Sequence, residues 1–247
     1  MQSCLTVDQG NSTVGLLLWE PAGAGDELRV AARPSSLDAI PGKPERVLLS
    51  SVADPDRRVE LVGELEGRFG SCEVPDHGLA LAIRHPETCG LDRLFAARAA
   101  AALEPDGAIV VDCGTALTVD LVQGGVFEGG AIAPGPALLV RALSEGGAQL
   151  HVVEARPGAA ALGRETAEAL EAGVVVGLRG AARELVTELR AERTTGVDLP
   201  VLVTGGARAL LLEPEPCLPG RVLVRPDLVH EGLIAAAFPG TPLAERP

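Results

Sequence analysis

Two short segments of this chain repeat one pattern, although they lie far apart in the sequence. Residues 7–13 (VDQGNST) and 111–117 (VDCGTAL) each join two apolar, strand-like segments through an aspartate, a glycine and small polar residues. Such an internal repeat indicates that one structural unit occurs twice. The sequence therefore predicts an α/β fold of two duplicated halves, residues 1–105 and 106–247, each with a mixed central sheet flanked by helices.

Apolar patterns on either side of these loops predict the other elements. Short apolar runs predict buried strands, and amphipathic or alanine-rich segments predict helices, most clearly at 91–103, where alanine and leucine dominate. The predicted strands are residues 3–7, 13–19, 28–33, 46–52, 108–114, 115–122 and 201–206. The predicted helices are residues 53–70, 91–103, 136–147, 164–193 and 228–238.

The Asp-x-Gly loops contain groups that suit phosphate and magnesium. Glycine lets main-chain N–H groups approach an anion closely, and the strand-end carboxylates, Asp8 and Asp112, can hold a cation directly or through water. A third loop, Thr204-Gly205-Gly206, follows a buried strand, and its two glycines allow a flat ring to approach the backbone. A single loop of this kind is most often a plain turn. The three together favour a nucleotide site, and the alternative is a structural α/β protein in which all three are turns.

Composition excludes several other classes. The formal net charge is -13, which argues against a nucleic-acid-binding protein, and no apolar run is long enough to cross a membrane. The single lysine, Lys43, lacks the glycine frame of a P-loop. The five cysteines show no metal-ligand spacing, and no secretory leader is visible, so we expect a cytoplasmic protein with reduced thiols.

Longer motifs connect the three loops. They are SSVADP at 50–55, G-x-D-R at 90–93, D-x-G-T-A at 112–116, VLVTGGA at 201–207 and RPDLVHEGL at 225–233. In this order the chain resembles the type III pantothenate kinases over nearly its whole length. The resemblance implies two actin-like (ribonuclease H-like) halves of the acetate- and sugar-kinase/actin superfamily. It also implies ATP-dependent phosphorylation of pantothenate to 4′-phosphopantothenate, the first step of coenzyme A biosynthesis.

The resemblance implies roles for individual residues. Asp8 is expected to hold Mg²⁺ through water, and Asp112 to bind a monovalent cation, K⁺ or NH₄⁺. The expected ATP-binding residues are Asp8, Gln9, Gly10, Asn11, Ser12, Thr13, Thr115, Gly205 and Gly206. The expected pantothenate-binding residues are Gly90, Leu91, Asp92, Arg93 and Thr166, with Asp92 as general base.

Simpler interpretations of three of these residues remain open. Asp92 and Thr166 both lie where a helix is predicted to begin, so each could serve only the helix end. Arg93 could pair with a substrate carboxylate or with a neighbouring acid.

The family implies a homodimer whose substrate pocket lies at the subunit interface. One alternative is a nucleotide-binding regulator, a transcriptional accessory factor with little or no activity. The other is a kinase of the same fold with a different acceptor alcohol, because the family pattern includes a tyrosine shortly before G-x-D-R and this chain contains none.

Overall fold

The computed structural model describes residues 2–22, 27–147, 150–192 and 198–242. These residues form two compact units, and each is described by itself. The first unit takes in the described residues up to Pro105, the short segment Gly125–Phe127, and the described residues from Asp227 onward. The second unit takes in Asp106–Gly124 and the described residues of Glu128–Pro226.

The first unit is built on a four-stranded sheet in the order β3-β2-β1-β4. Strand β1 pairs antiparallel with β2, its hairpin partner, and parallel with β4. The strands are β1 (Cys4–Gln9), β2 (Val14–Pro21), β3 (Leu28–Ala32) and β4 (Arg46–Ser51). Single 3₁₀ turns lie at Leu37–Ala39 and Pro86–Thr88.

Helix α1 (Pro55–Phe69) covers one face of this sheet, and its sequence explains where it begins and ends. The Asp54 carboxylate accepts a hydrogen bond from the N–H of Asp56, and Pro55 takes the first helical position, where no N–H is needed. Gly70 ends the helix with a left-handed φ of 94°. The helix packs its buried side chains against apolar residues of the sheet; these side chains are Leu61, Leu65 and Phe69.

Helices α2 (Leu91–Leu103) and α6 (Leu228–Ala237) pack together in the first unit, and both contact the sheet. Their contact is unusually close, because a Cβ at Gly232 would overlap the main-chain carbonyl of Phe95. Alanines fill the rest of the buried side of α2, which allows the two backbones to approach.

The second unit repeats the arrangement of the first. Strand β6 pairs antiparallel with its hairpin partner β7 and parallel with β9, as β1 does with β2 and β4. The strand order is β10-β9-β6-β7-β8. The strands are β6 (Ala108–Cys113), β7 (Ala116–Gln123), β8 (Val126–Pro134), β9 (Val201–Thr204) and β10 (Val222–Val224). The helices are α3 (Pro136–Gly146), α4 (Thr166–Ala191) and α5 (Ala209–Leu212), and α4 and α5 pack on the apolar core of the sheet.

The predicted elements are present, and the predicted class, α/β with mixed sheets flanked by helices, is confirmed. The predicted end of α4 at residue 193 lies outside the described residues. One assignment differs from the prediction. The C-terminal segment from Asp227, expected in the half 106–247, belongs to the first unit, because α6 packs on α2. A short strand, β5 (Ala80–Leu81), pairs with Val126 and Phe127 and draws these residues into the first unit.

Candidate functional site

The first Asp-x-Gly loop forms a tight tip between β1 and β2. The strands pair up to Gln9 and Val14, and the N–H of Gly10 donates to the carbonyl of Thr13 at 2.9 Å. Between them the side chains of Asn11, Ser12 and Thr13 are exposed. The tip therefore offers amide and hydroxyl groups to a ligand.

A chain of hydrogen bonds holds this tip from below. The Ser51 hydroxyl donates to Gln9 Oε1 at 2.7 Å, and Gln9 Nε2 donates to the carbonyl of Arg57 at 3.1 Å. The Arg57 guanidinium in turn donates to the carbonyl of Asn11 at 2.7 Å. The Gln9 side chain is buried and hydrogen-bonded within the unit, so this predicted ATP-binding residue supports the loop internally.

Asp8 lies at the end of β1, on the sheet face that α6 covers. Thr6 marks this face: its hydroxyl lies 2.9 Å from Nδ1 of His230 on α6 and accepts a hydrogen bond from the Trp19 indole N–H at 2.8 Å. Side chains two residues apart on a strand share a face, so Asp8 follows Thr6. Its pairing partners are Gly15 in β2 and Ser50 in β4.

Asp92 lies in the first turn of α2, which begins after Gly90. Its carboxylate accepts a hydrogen bond from the N–H of Arg93 at 2.8 Å. A Cβ at Gly90 would lie 2.5 Å from the Asp92 carboxylate and 3.3 Å from the side chain of Val52, the residue after β4. The N–H of Val52 donates to the carbonyl of Gln9. The carboxylate is therefore held close to the strand ends that carry the first loop.

Burial raises the pKa of Asp92, and the Arg93 N–H and guanidinium charge lower it by less. A first-turn aspartate that only stabilised a helix end would have its pKa lowered by the helix dipole. The net shift is therefore the one that brings a carboxylate nearer to the basicity that proton transfer at neutral pH requires.

The Arg93 side chain stacks on an aromatic ring. Its guanidinium carbon lies 5.5 Å from the centroid of Phe127, a fully buried residue at the start of β8. The sequence did not indicate Phe127 as a site residue, because nothing in its local pattern links it to the G-x-D-R motif.

The second Asp-x-Gly loop closes in a similar way in the second unit. The N–H of Gly114 donates to the carbonyl of Ala116 at 2.9 Å. The N–H of Gly135, which precedes α3, donates to the carbonyl of Thr115 at 3.1 Å. A Cβ at Gly135 would overlap this loop, so the start of α3 lies directly against it.

The third loop meets the second because their strands are parallel neighbours. Asp112 pairs with Thr204, and the N–H of Ala207 donates to the carbonyl of Cys113 at 2.8 Å. Gly205 has a φ of 92°, and a Cβ there would overlap both the Cys113 carbonyl and the Asp112 carboxylate. Two oxygen atoms therefore converge at Gly205.

An apolar cavity of about 590 Å³ adjoins the third loop within the second unit. Gly206 and Ala207 line it, together with Pro136 and Val140 of α3 and with Val153. A Cβ at Gly206 would meet nothing within 4 Å, so the backbone is open at that point.

Thr166 is the first residue of α4, and its side chain is exposed. The residue at the N-cap is Glu165, and no side-chain hydrogen bond caps this helix. Thr166 thus does not act as the N-cap, which was the simpler of its two interpretations.

The structure groups the predicted residues in two sets, one in each unit. The first unit carries the 8–13 loop and residues 90–93, and the second carries Asp112, Thr115, the Gly205-Gly206 loop and Thr166. Among the described residues no cluster of three or more His, Cys, Asp or Glu could hold a metal ion. In the same residues, no helix has the length and apolar character needed to span a bilayer.

Comparisons with known proteins identify the family of this chain. Residues 4–188 match the family model "Type III pantothenate kinase". The type III pantothenate kinase of Thermobifida fusca is 32% identical over 237 residues, covering 85% of this chain and 90% of the relative. The type III pantothenate kinase of Thermus thermophilus is 36% identical over 206 residues, covering 81% of this chain and 79% of the relative. A solved structure from Campylobacter jejuni, described as a Baf family transcriptional activator, superposes with a TM-score of 0.59 and covers 93% of this chain and 96% of that one. The two sequences are 18% identical, so this likeness shows the fold alone. This chain belongs to the type III pantothenate kinase family.

Proposed function

We propose that Asp92 is the general base in the reaction of this family, the ATP-dependent phosphorylation of pantothenate that begins coenzyme A synthesis. One observation carries the proposal: the Asp92 carboxylate is held against Gly90 beside the strand ends of the first loop, and burial raises its pKa. A structural carboxylate gains nothing from such a position, whereas a base does.

The chemistry needs a positioned base and neutralised phosphates. A primary alcohol is a weak nucleophile, and the transferred phosphoryl group must lie in line with it. In this proposal Asp92 accepts the hydroxyl proton of pantothenate as the bond to phosphorus forms. The hydrogen bond from the Arg93 N–H to Oδ1 helps to orient the carboxylate for this proton transfer.

The two hairpin loops are proposed to bind ATP. The exposed groups of Asn11, Ser12 and Thr13 are suitable donors to phosphate oxygens, and Thr115 supplies a further hydroxyl. The apolar cavity beside Gly206 suits a flat adenine ring, because no side chain covers the backbone there.

The oxygen ligands of the two loops fit the expected cations. Asp112 and the Cys113 carbonyl converge at Gly205, and oxygen atoms of this kind can replace part of the hydration shell of K⁺ or NH₄⁺. Asp8 suits Mg²⁺ held through water, since Mg²⁺ is usually bound by one or two carboxylates together with substrate phosphates. Such cations would neutralise phosphate charge at the two hairpin loops, since neither residues 8–13 nor residues 112–116 include a lysine or an arginine.

Arg93 is proposed to bind the carboxylate of pantothenate, with Thr166 as a further substrate contact in a homodimer. The guanidinium offers paired N–H donors that match a carboxylate. The second copy is proposed from the family to which the chain belongs.

The decisive experiment is Asp92→Asn, assayed with pantothenate, ATP and Mg²⁺. The amide retains the shape but cannot take the proton, so we expect turnover to fall by roughly 10²-fold or more. In the wild type, turnover should fall as the pH drops through the pKa of Asp92, because protonated Asp92 cannot act as a base. This fall should begin at a higher pH than for an ordinary aspartate, since burial raises the pKa. Because the charged form is the one that burial disfavours, the variant should be no less stable than the wild type at neutral pH.

Asp56→Asn is the matched control. Asp56 occupies the first turn of α1 as Asp92 does that of α2, but it is exposed. We expect wild-type turnover from this variant. Unchanged turnover in Asp92→Asn would remove Asp92 as the base.

A further inference from the structure

Phe127 contacts both ends of the segment 82–93, which includes the G-x-D-R motif. Its carbonyl accepts a hydrogen bond from the N–H of Ala82 at 2.9 Å, and it pairs with Leu81 across the two short parallel strands. Arg93 follows Ala82 by eleven residues, and its guanidinium lies over the ring of Phe127. Residues 82 and 93 are thus anchored to one buried side chain and its backbone.

The stacked geometry suits carboxylate binding. An aromatic face attracts a guanidinium by its negative quadrupole and occupies the flat side of that group. The five N–H donors of a guanidinium lie at its edge, in its plane, so a ring on its flat side does not compete with a carboxylate for those donors. Phe127 itself is fully buried, so its ring has little freedom to move.

We propose that Phe127 is a positioning residue that fixes the Arg93 guanidinium for the carboxylate of the substrate. The inference rests on the proposed role of Arg93. It assigns substrate affinity to a fully buried side chain that acts through Arg93 and that belongs to the first unit through the short segment Gly125–Phe127.

The position of Arg93 also affects the base. Its charge lowers the pKa of Asp92, and its N–H bonds the same carboxylate. If the guanidinium loses its support at Phe127, this charge moves relative to Asp92. A merely structural role for Phe127 would leave the pH dependence of turnover unchanged.

The test is Phe127→Leu, which removes the ring and keeps an apolar side chain. Cation–π pairs contribute about 0.5–2 kcal/mol, so we expect the KM for pantothenate to rise roughly 2- to 30-fold. The KM for ATP should stay at the wild-type value. Phe69→Leu is the matched control, since Phe69 is a buried ring of the same unit, at the end of α1, and it should leave both KM values unchanged. If Phe127→Leu does not fold, Phe127→Met replaces it, since methionine also removes the ring and keeps an apolar side chain.

A substrate analogue separates positioning from general damage. Pantothenol carries CH₂OH in place of the carboxylate, so Arg93 cannot form an ion pair with it. We expect Phe127→Leu to raise the KM for pantothenate and to leave that for pantothenol unchanged. An equal rise for both substrates would overturn the inference.

Arg93→Lys keeps the charge but loses the planar stack, and it completes a double-mutant cycle. If Phe127 acts through Arg93, the double variant should be no worse than Arg93→Lys alone. Additive effects, or a normal KM in Phe127→Leu with a raised KM in Arg93→Lys, would overturn the inference and leave the proposed function intact. An unchanged KM for pantothenate in Arg93→Lys would instead refute the proposed role of Arg93.

Discussion

At the scale of single residues, two aspartates in equivalent places lie in different environments. Asp56 and Asp92 each occupy the first turn of a helix, where a negative charge is favourable. Asp56 is exposed, whereas burial of Asp92 outweighs the helix end and the Arg93 charge and raises its pKa. Burial therefore disfavours the charged form of Asp92, which is the environment that the proposed general base requires.

The proposed role of Asp112 predicts that turnover depends on a monovalent cation. We expect full turnover in K⁺ or NH₄⁺ and much lower turnover in Na⁺, because the smaller Na⁺ holds its hydration shell more strongly than the oxygens of Asp112 and Cys113 can replace it. In Asp112→Asn one of these oxygens loses its charge, so the K⁺ concentration for half-maximal activity should rise by roughly tenfold or more. Initial rates across a K⁺ titration measure this.

Ionic strength has to be matched in that titration, and tetramethylammonium, which is too large to replace K⁺, serves as the balancing ion. Full turnover in Na⁺ alone would contradict the cation role. An identical K⁺ dependence in wild type and Asp112→Asn would show that the cation binds elsewhere.

At the scale of elements, the contact between α2 and α6 depends on one glycine. We expect Gly232→Ala to destabilise the protein by about 1–3 kcal/mol, because the added Cβ overlaps the Phe95 carbonyl and no flexible side chain can yield. Turnover should also fall, since α2 carries Asp92. Denaturant unfolding and the pantothenate assay measure the two effects.

Gly177→Ala is the matched control in α4, where an added Cβ meets nothing within 4 Å. Alanine favours a helix over glycine by about 1 kcal/mol, so this variant should be slightly more stable. A stabilised Gly232→Ala would refute the proposed tight contact between α2 and α6.

The sequence predicted the elements well where the signal was local. Strand patterns, the Asp-x-Gly loops and the alanine-rich helix each need only a few neighbouring residues to be recognised. The short strands β5 and β10 carry too few residues for a pattern. The packing of α6 and the ring under Arg93 depend on contacts between distant segments, so no periodicity could reveal Gly232 against Phe95 or Phe127 against Arg93.

At the scale of the whole molecule, duplication explains why two loops have similar chemistry. In each unit a strand is flanked by its antiparallel hairpin partner on one side and by a parallel strand on the other. The carboxyl ends of the parallel pair therefore meet at one edge, and the Asp-x-Gly turn lies there. The second pair brings Asp112 to the Gly205 loop, and the first brings Asp8 to the segment that contacts Gly90.

Charge makes the proposed dimer sensitive to salt. Each chain has a formal net charge of -13, so two copies repel each other at low ionic strength. Raising the salt from about 0.01 M to about 0.3 M shortens the screening length several-fold and should strengthen association. We expect light scattering to show the mass of two chains at the higher salt and partial dissociation on dilution at the lower salt, with specific activity following the dimer fraction. Tetramethylammonium chloride at constant K⁺ keeps the cation site out of the comparison. A monomer with full specific activity at either salt would contradict a pocket shared between subunits.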